Sequence, residues 1–256
     1  MEERNGRSFL RDSYVTQPFR IVPVGQNRSD YFSYLMIMSS SPGILNGDMY
    51  DIQIEVKENA RLQLQSQSYQ RLYNMDGSAS QLMEIQLAKN SSFSYVPHPI
   101  VPHENSNFKS INKVRMEYGC DLLMSEIITC GRKHYGESFQ YSHFQNIIEV
   151  YHDNRLLLKD NVLLKPALMP LESLGMLEGF THQGTLIFIN TKKEKVLELI
   201  EHFHDEMEKL EDVTFGISDI QHYGFVIRIL GNGAEQLFDF FKQVQHHLWK
   251  RSFRNN

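Results

Sequence analysis

Cysteine is nearly missing from this 256-residue chain: Cys120 and Cys130 are the only two. That is too few for a disulfide-stapled secreted scaffold, so a reducing, cytoplasmic compartment is the simpler expectation. Positive charge is in deficit as well. With 26 Lys and Arg against 31 Asp and Glu the formal net charge is −5, and no global basic field draws the chain to nucleic acid or an anionic membrane; neither is expected as a partner. Long apolar runs are absent. The longest uncharged central stretch, Tyr31 to Gly47, is broken by Ser39, Ser40, Ser41, Pro42 and Gly43, short of the ~20 continuous apolar residues a spanning helix needs. The opening Met1-Glu2-Glu3-Arg4-Asn5-Gly6 lacks the cationic start and apolar core of a signal peptide. What is present is ordinary for a globular protein: 41% apolar residues, 15 glycines and 8 prolines, enough to bury a core and far from fibrous or disordered composition.

A short pattern recurs four times: two apolar residues at period two, then Asn, Gly or Asp three positions on, then two more apolar residues. The copies are Ile54, Val56, Asn59, Leu62, Leu64; Ile85, Leu87, Asn90, Phe93, Tyr95; Val114, Met116, Gly119, Leu122, Met124; and Ile148, Val150, Asp153, Leu156, Leu158. Period-two alternation marks half-buried strands, and Asn, Gly and Asp tolerate the left-handed backbone of a tight turn. Each copy therefore reads as strand, turn, strand. One apolar face per unit is buried by stacking similar units, or by closing two sheets on each other as in an antiparallel sandwich. The expectation is a mainly β, coiled or stacked scaffold over about residues 15–185.

The C-terminal third differs. Thr191 to Glu194 spells a capping box, and Val196, Ile200, Phe203, Met207 and Leu210 give an amphipathic helix. Val213, Phe215, Ile217 and then Phe225, Ile227, Ile229 alternate as two strands, and Ala234, Leu237, Phe238, Phe241, Val244 and Leu248 form a second helix. With a leading strand at Leu186 to Ile189, the order is β-α-β-β-α. The predicted organisation is a β scaffold at 1–185 and a small α+β layer with two helices at 186–256, packed on it or continuous with it.

Familiar catalytic signatures are missing. The chain has no P-loop, no Gly-x-Ser-x-Gly elbow, no His-Glu-x-x-His helix and no Gly-x-Gly-x-x-Gly turn. Eleven histidines supply raw material for metal contact. His98 and His103, in the stiff Pro97-His98-Pro99-Ile100-Val101-Pro102-His103 run, could hold two rings outward; the alternative is a structural loop. His202 with His204, and His246 with His247, read as exposed helix residues. Cys120 and Cys130, ten apart without a second pair, read as buried small hydrophobes rather than a zinc site. Around Glu126, Arg132 and Glu137, charge lies beside apolar Ile127 and Ile128, either a solvated strand end or a polar lining inside the scaffold.

Four ordered segments carry a resemblance. Ser41-Pro42-Gly43-Ile44-Leu45-Asn46-Gly47-Asp48 resembles the Ser-Pro-Gly-x-x-x-Gly-Asp signature of the urease accessory protein family UreD, called UreH in some bacteria, although Ile44 stands where many relatives have a second glycine. Leu64-Gln65-Ser66-Gln67-Ser68 resembles the family's hydroxyl-rich strand. Phe93 to His103, with Asn105 and Phe108, is similar to its proline-rich segment. Ser125 to Arg132, followed by Gly136-Glu137-Ser138-Phe139, is similar to its Gly-Arg and Gly-Glu-x-Phe elements. The resemblance implies a β-rich, non-enzymatic scaffold with two helices that pairs with UreF, binds apo-urease and recruits the GTPase UreG through UreF. No tightly bound cofactor is implied; nickel would be met transiently, in a water-filled internal passage. Weakly holding oxygen ligands suit conduction over storage, which points to Asp48, Glu126 and Glu137, with Arg132 orienting one carboxylate by paired hydrogen bonds. Asp48 is equally placed to cap the turn after Gly47. A second reading is a metal-dependent enzyme on a β scaffold using His98, His103 and a carboxylate.

Overall fold

The computed structural model describes residues 1–25 and 31–254. A hairpin of β1 (Glu2–Arg4) and β2 (Arg7–Phe9) precedes β3 (Phe19–Pro23), which pairs antiparallel with β4 (Ser33–Ser39). From β4 the chain winds in coils, each giving one strand to a larger sheet and one to a smaller. β4 leads to β5 (Met49–Val56). β6 (Arg61–Ser66) passes through the short β7 (Gln70–Leu72) to β8 (Ala79–Leu87), and β9 (Ser92–Tyr95) through β10 (Ile100–Pro102) to β11 (Asn107–Met116). β12 (Asp121–Thr129) leads to β13 (His143–His152), with a single 3-10 turn at Lys133–Tyr135 between them. Neighbours β4, β6, β9 and β12 run parallel in the larger sheet, as do β5, β8, β11 and β13 in the smaller. The scaffold is a stacked, solenoid-like β structure, as the repeat predicts.

Three of the four repeat copies are corners between sheets. Asn59, Asn90 and Gly119 take left-handed φ of 59°, 58° and 84°, and each redirects the chain from the smaller sheet to the larger. The corners stack on one another: the Asn59 N–H donates to the Lys89 carbonyl at 3.0 Å and the Asn90 N–H to that of Tyr118 at 3.1 Å. Equivalent apolar residues fall in register, Ile54 on Ile85 on Val114 and Leu62 on Phe93 on Leu122. The fourth copy behaves differently. Val114 pairs with Val150 rather than Ile148, a slip of two residues, and after Asp153 and Asn154 the strand β14 (Arg155–Leu164) returns antiparallel on β13. Two successive left-handed residues, at 47° and 65°, make the tight two-residue reversal of a hairpin, where one alone makes a corner.

β15 (His182–Asn190) then adds antiparallel to β12, followed outward by β17 (Gly224–Gly231) and β16 (Thr214–Asp219). The larger sheet runs without interruption from the coils into the C-terminal layer, and β15 straddles position 185. α1 (Val196–Met207) and α2 (Ala234–Arg254) complete the expected β-α-β-β-α order. The anticipated capping box at Thr191 does not form. The Thr191 hydroxyl accepts the Cys120 N–H at 2.8 Å and is buried at the β12 corner, so α1 starts at Val196 without a side-chain cap. Both cysteines are buried and free, as expected.

Three apolar clusters follow from the alternation. One fills the coil interior around Ile85, Phe93, Val114 and Leu122. A second joins the outer face of the larger sheet to both helices through Leu123, Ile127, Phe203, Phe225 and Phe241; truncating one of its fully buried phenylalanines to alanine costs about 3–5 kcal/mol. The third closes the other end of the coils around Ile44, Leu72, Phe108 and Phe144. β12 lies between helices and coil interior, and eight of its nine residues are buried.

Candidate functional site

Inward positions of the coil strands are apolar at both ends and polar in between. On β11, Phe108 belongs to one interior cluster and Val114 and Met116 to the other, while Ser110 and Asn112 stand between them. β12 repeats the pattern: Met124 and Ile128 enter separate clusters, with Glu126 between. Strand register turns these positions into rows. In the smaller sheet Tyr50, Gln81, Ser110 and Asn146 are consecutive partners on β5, β8, β11 and β13. Facing them in the larger sheet, Glu126, Thr185 and Arg228 are partners on β12, β15 and β17.

Hydrogen bonds tie the rows together. Asn112 Nδ2 donates to Asn146 Oδ1 at 2.7 Å, and Asn146 is bonded to Glu126. Arg228 donates to Thr185 Oγ1 at 3.1 Å and forms an ion pair with Asp160 of β14 at the outer end of the row. Glu126 is only 8% exposed. Burial pushes its carboxyl up to about 8; the bond to Asn146 and the charge of Arg228 oppose the shift, and Asp160 adds to it. At neutral pH the carboxyl therefore holds its proton, and a cation held there must displace it.

The other end of the band opens into a cavity of about 120 Å³, lined among others by Tyr50, Gln81, Ser66, Tyr95 and His98. Asp48 borders this end. Its Oδ2 accepts the Leu45 N–H at 2.8 Å and the Tyr50 hydroxyl at 2.9 Å, so it both closes the turn after Gly47 and touches the first member of the row. The Ser41 to Asp48 segment is held against β7 by an Ile44–Leu72 bridge. Gly43 fits there because a Cβ would meet the Arg71 carbonyl oxygen at 2.4 Å.

The remaining sequence-predicted residues separate into two places. The His98 Nδ1 lies 2.9 Å from Ser66 Oγ, and the ring stacks on Phe238 of α2 at 4.6 Å. Glu137 lies at the corner after β12, taking two hydrogen bonds from Arg132, and its carboxyl is held below the usual range first by that pairing. His103 joins this corner, packed on Tyr73 at 4.7 Å and with its ring pushed toward neutrality by burial and then by Arg132. Arg132 thus orients Glu137, not Glu126. Among the described residues, the one group of three or more side chains whose metal-ligand atoms converge is the exposed His204, Asp205 and Glu208 at the C-terminal end of α1, and it includes neither His98 nor His103.

Asn112, Asn146, Asp160 and Arg228 escaped the sequence reading. Their signal was polar residues at inward positions of alternating strands, as with Ser110 and Asn112 between Phe108 and Val114; it acquires meaning only once register aligns it across strands.

Comparison with known proteins places the chain among urease accessory proteins. The chain matches the family model described as UreD urease accessory protein over residues 1–255. It is 51% identical over 246 residues to the urease accessory protein UreD of Flavobacterium johnsoniae, covering 96% of this chain and 89% of the relative. To the protein of the same name from Acetivibrio thermocellus it is 37% identical, covering 96% and 93%, and to that of Actinobacillus pleuropneumoniae 32% identical, covering 93% and 91%. The chain belongs to the UreD family of urease accessory proteins.

Proposed function

We propose that this chain matures urease as a non-enzymatic scaffold: it binds apo-urease and UreF, recruits UreG through UreF, and hands nickel along the internal polar band to the urease active site. The carrying observation is the band itself, a registered row of amide, hydroxyl and carboxyl groups through an interior whose neighbouring layers are apolar. Burying that many polar side chains costs stability relative to apolar ones, which favours a role in the protein's work. Neutral oxygen donors replace part of a cation's hydration shell without trapping it, and Glu126 adds one exchangeable charge as its proton leaves. Nickel is cargo in this reading. The family assignment supports the maturation role; UreF, UreG, apo-urease and the route are the finer parts of the proposal.

The test is urease activity, with nickel bound per urease counted, in cells carrying all urease genes. Deleting this chain is expected to abolish activity while urease subunits still accumulate. Glu126→Ala and Asn146→Leu should lower nickel content with UreF and urease still co-purifying with the chain. Full activity after deletion would overturn the maturation role, and full nickel content in both point variants would overturn the route.

A further inference from the structure

Where the coils begin, the two sheets end unevenly. β3 carries the larger sheet one strand past β4, whereas the smaller sheet stops at β5, which pairs with β8 alone. β3 thus has no counterpart across the coil, and between the two margins lies a cleft of about 280 Å³ lined by Phe19, Ile21, Ile37, Ile52 and Ile54 among others. All five are only half-buried. The backbone of β5 leaves its outer edge open. The Ser80 N–H donates to the Asp48 carbonyl at 2.9 Å and the Ala88 N–H to that of Val56 at 3.0 Å. Alternate residues of a strand bond opposite sides, so Met49, Asp51, Gln53 and Glu55 turn their N–H and C=O groups away from β8. The Glu55 carbonyl accepts the Met1 ammonium at 2.7 Å, and the Lys57 N–H donates to the Met1 carbonyl at 3.0 Å. Among the described residues, no backbone group bonds those of Met49, Asp51 or Gln53. Asp12 to Thr16 also border the cleft and are exposed throughout. Sheet margins are usually blunted by cations, proline or irregular pairing. β14, at the opposite margin of the same sheet, carries Arg155 and Lys159 and a shift of register against β13, and β3 carries Arg20 and Pro23. β5, Met-Tyr-Asp-Ile-Gln-Ile-Glu-Val, has none of these devices.

We infer that the free edge of β5 takes an extended segment of a partner protein, added as one more strand of the smaller sheet opposite β3, with apolar side chains turned into the cleft and Lys or Arg turned outward beside Asp51. Backbone groups supply the attachment and alternate side chains the selectivity, as in other strand additions. Apolar residues on the inner side would finish burying Ile52 and Ile54. On the outward side, Asp51 and Glu55 are the only charges of β5, and Lys57 answers Glu55 alone, at 2.6 Å; a basic segment complements what is left. A second copy of this chain fits less well, because two β5 edges would set the Asp51 and Glu55 of one against those of the other. The edge is separate from the polar band and does not depend on its being a passage.

The test uses the purified full-length chain and two fluorescein-labelled synthetic peptides, one alternating valine with lysine and one alternating valine with glutamate. Fluorescence anisotropy should show the lysine peptide binding and the glutamate peptide binding more weakly. In amide hydrogen exchange read by NMR, Asp51 and Gln53 should exchange freely in the chain alone and slow by about tenfold or more with the lysine peptide, while Ile52 and Ile54, already bonded to β8, change little. Gln53→Pro removes an outward N–H and no bond to β8; it should weaken the lysine peptide by about tenfold, the worth of one lost hydrogen bond. Asp51→Lys, a surface change that leaves the backbone intact, should reverse the preference between the peptides. Failure of the lysine peptide to bind, equal binding of both peptides, or unprotected Asp51 and Gln53 amides in its presence would overturn the inference. So would a dimer of the chain that Gln53→Pro disperses, which would give the edge to a second copy.

Discussion

At the scale of single residues, function and stability should part company at Glu126. Its carboxyl is raised from the ordinary value near 4.5 to about 8, first by burial, so the folded chain holds a proton that the unfolded chain releases. That linkage makes stability fall as pH rises from about 4.5 to about 8 and then level off. Glu126→Gln removes it: denaturation midpoints should show a gain of about 1–3 kcal/mol at pH 8 and little at pH 4, while nickel delivery falls. His182 slopes the other way. Burial and then Lys133 push its ring down to about 4, so its contribution is complete above about pH 6.5 and is lost as pH drops through 4. His182→Gln should flatten the acid limb of the stability profile. Gly224 is sterically fixed, since a Cβ there would sit 1.9 Å from the Phe188 carbonyl oxygen. Gly224→Ala should cost more than about 2 kcal/mol in chemical denaturation by forcing β17 away from β15. Of these residues, Glu126 was legible as an uncommon carboxylate among apolar neighbours. The groups that surround it were not, because Asn146, which bonds it, and Asp160 and Arg228, whose charges act on it, come from strands 20 to 102 positions away in the sequence.

At the scale of elements, the corner and the hairpin make opposite demands on neighbouring residues. Asn90→Ala places a Cβ-bearing residue without a local hydrogen-bonding side chain at φ 58°, and a loss of about 1 kcal/mol is expected from thermal melts. Asn154→Gly, at the second left-handed position of the hairpin, relieves strain and should be neutral or stabilising by a few tenths to about 1 kcal/mol. The strand–turn–strand units, both helices and their order were readable from the sequence, because periods of two and near four report burial on one face. Whether a unit was a corner or a hairpin was not readable from the apolar spacing. All four copies share it, and only the doubled Asp153-Asn154 distinguishes the last. The capping box at Thr191 failed for a related reason: a hydroxyl that fits a local motif was taken by the Cys120 N–H, 71 residues away in sequence.

For the whole molecule, the helical layer and the coils share one sheet and one set of buried side chains. Ending the chain at residue 185 would strand Leu123 and Ile127 on an uncovered face and remove the β12 partner beyond Thr185. Such a fragment should be recovered in inclusion bodies rather than as a folded coil domain, and a soluble fragment with native β circular dichroism would contradict that. Placement of the helices also bears on time. β12 is walled in by apolar clusters on both faces and paired along both edges, with β9 and β15, whereas β5 and β16 lie at sheet margins. Its amide hydrogens should trade with deuterium only when the entire chain opens, and those of β5 and β16 through local fraying that is orders of magnitude faster. The strand that carries Glu126 is thus the slowest clock in the protein, and on the proposed route a cation would pass a wall that holds its shape far longer than the ion stays.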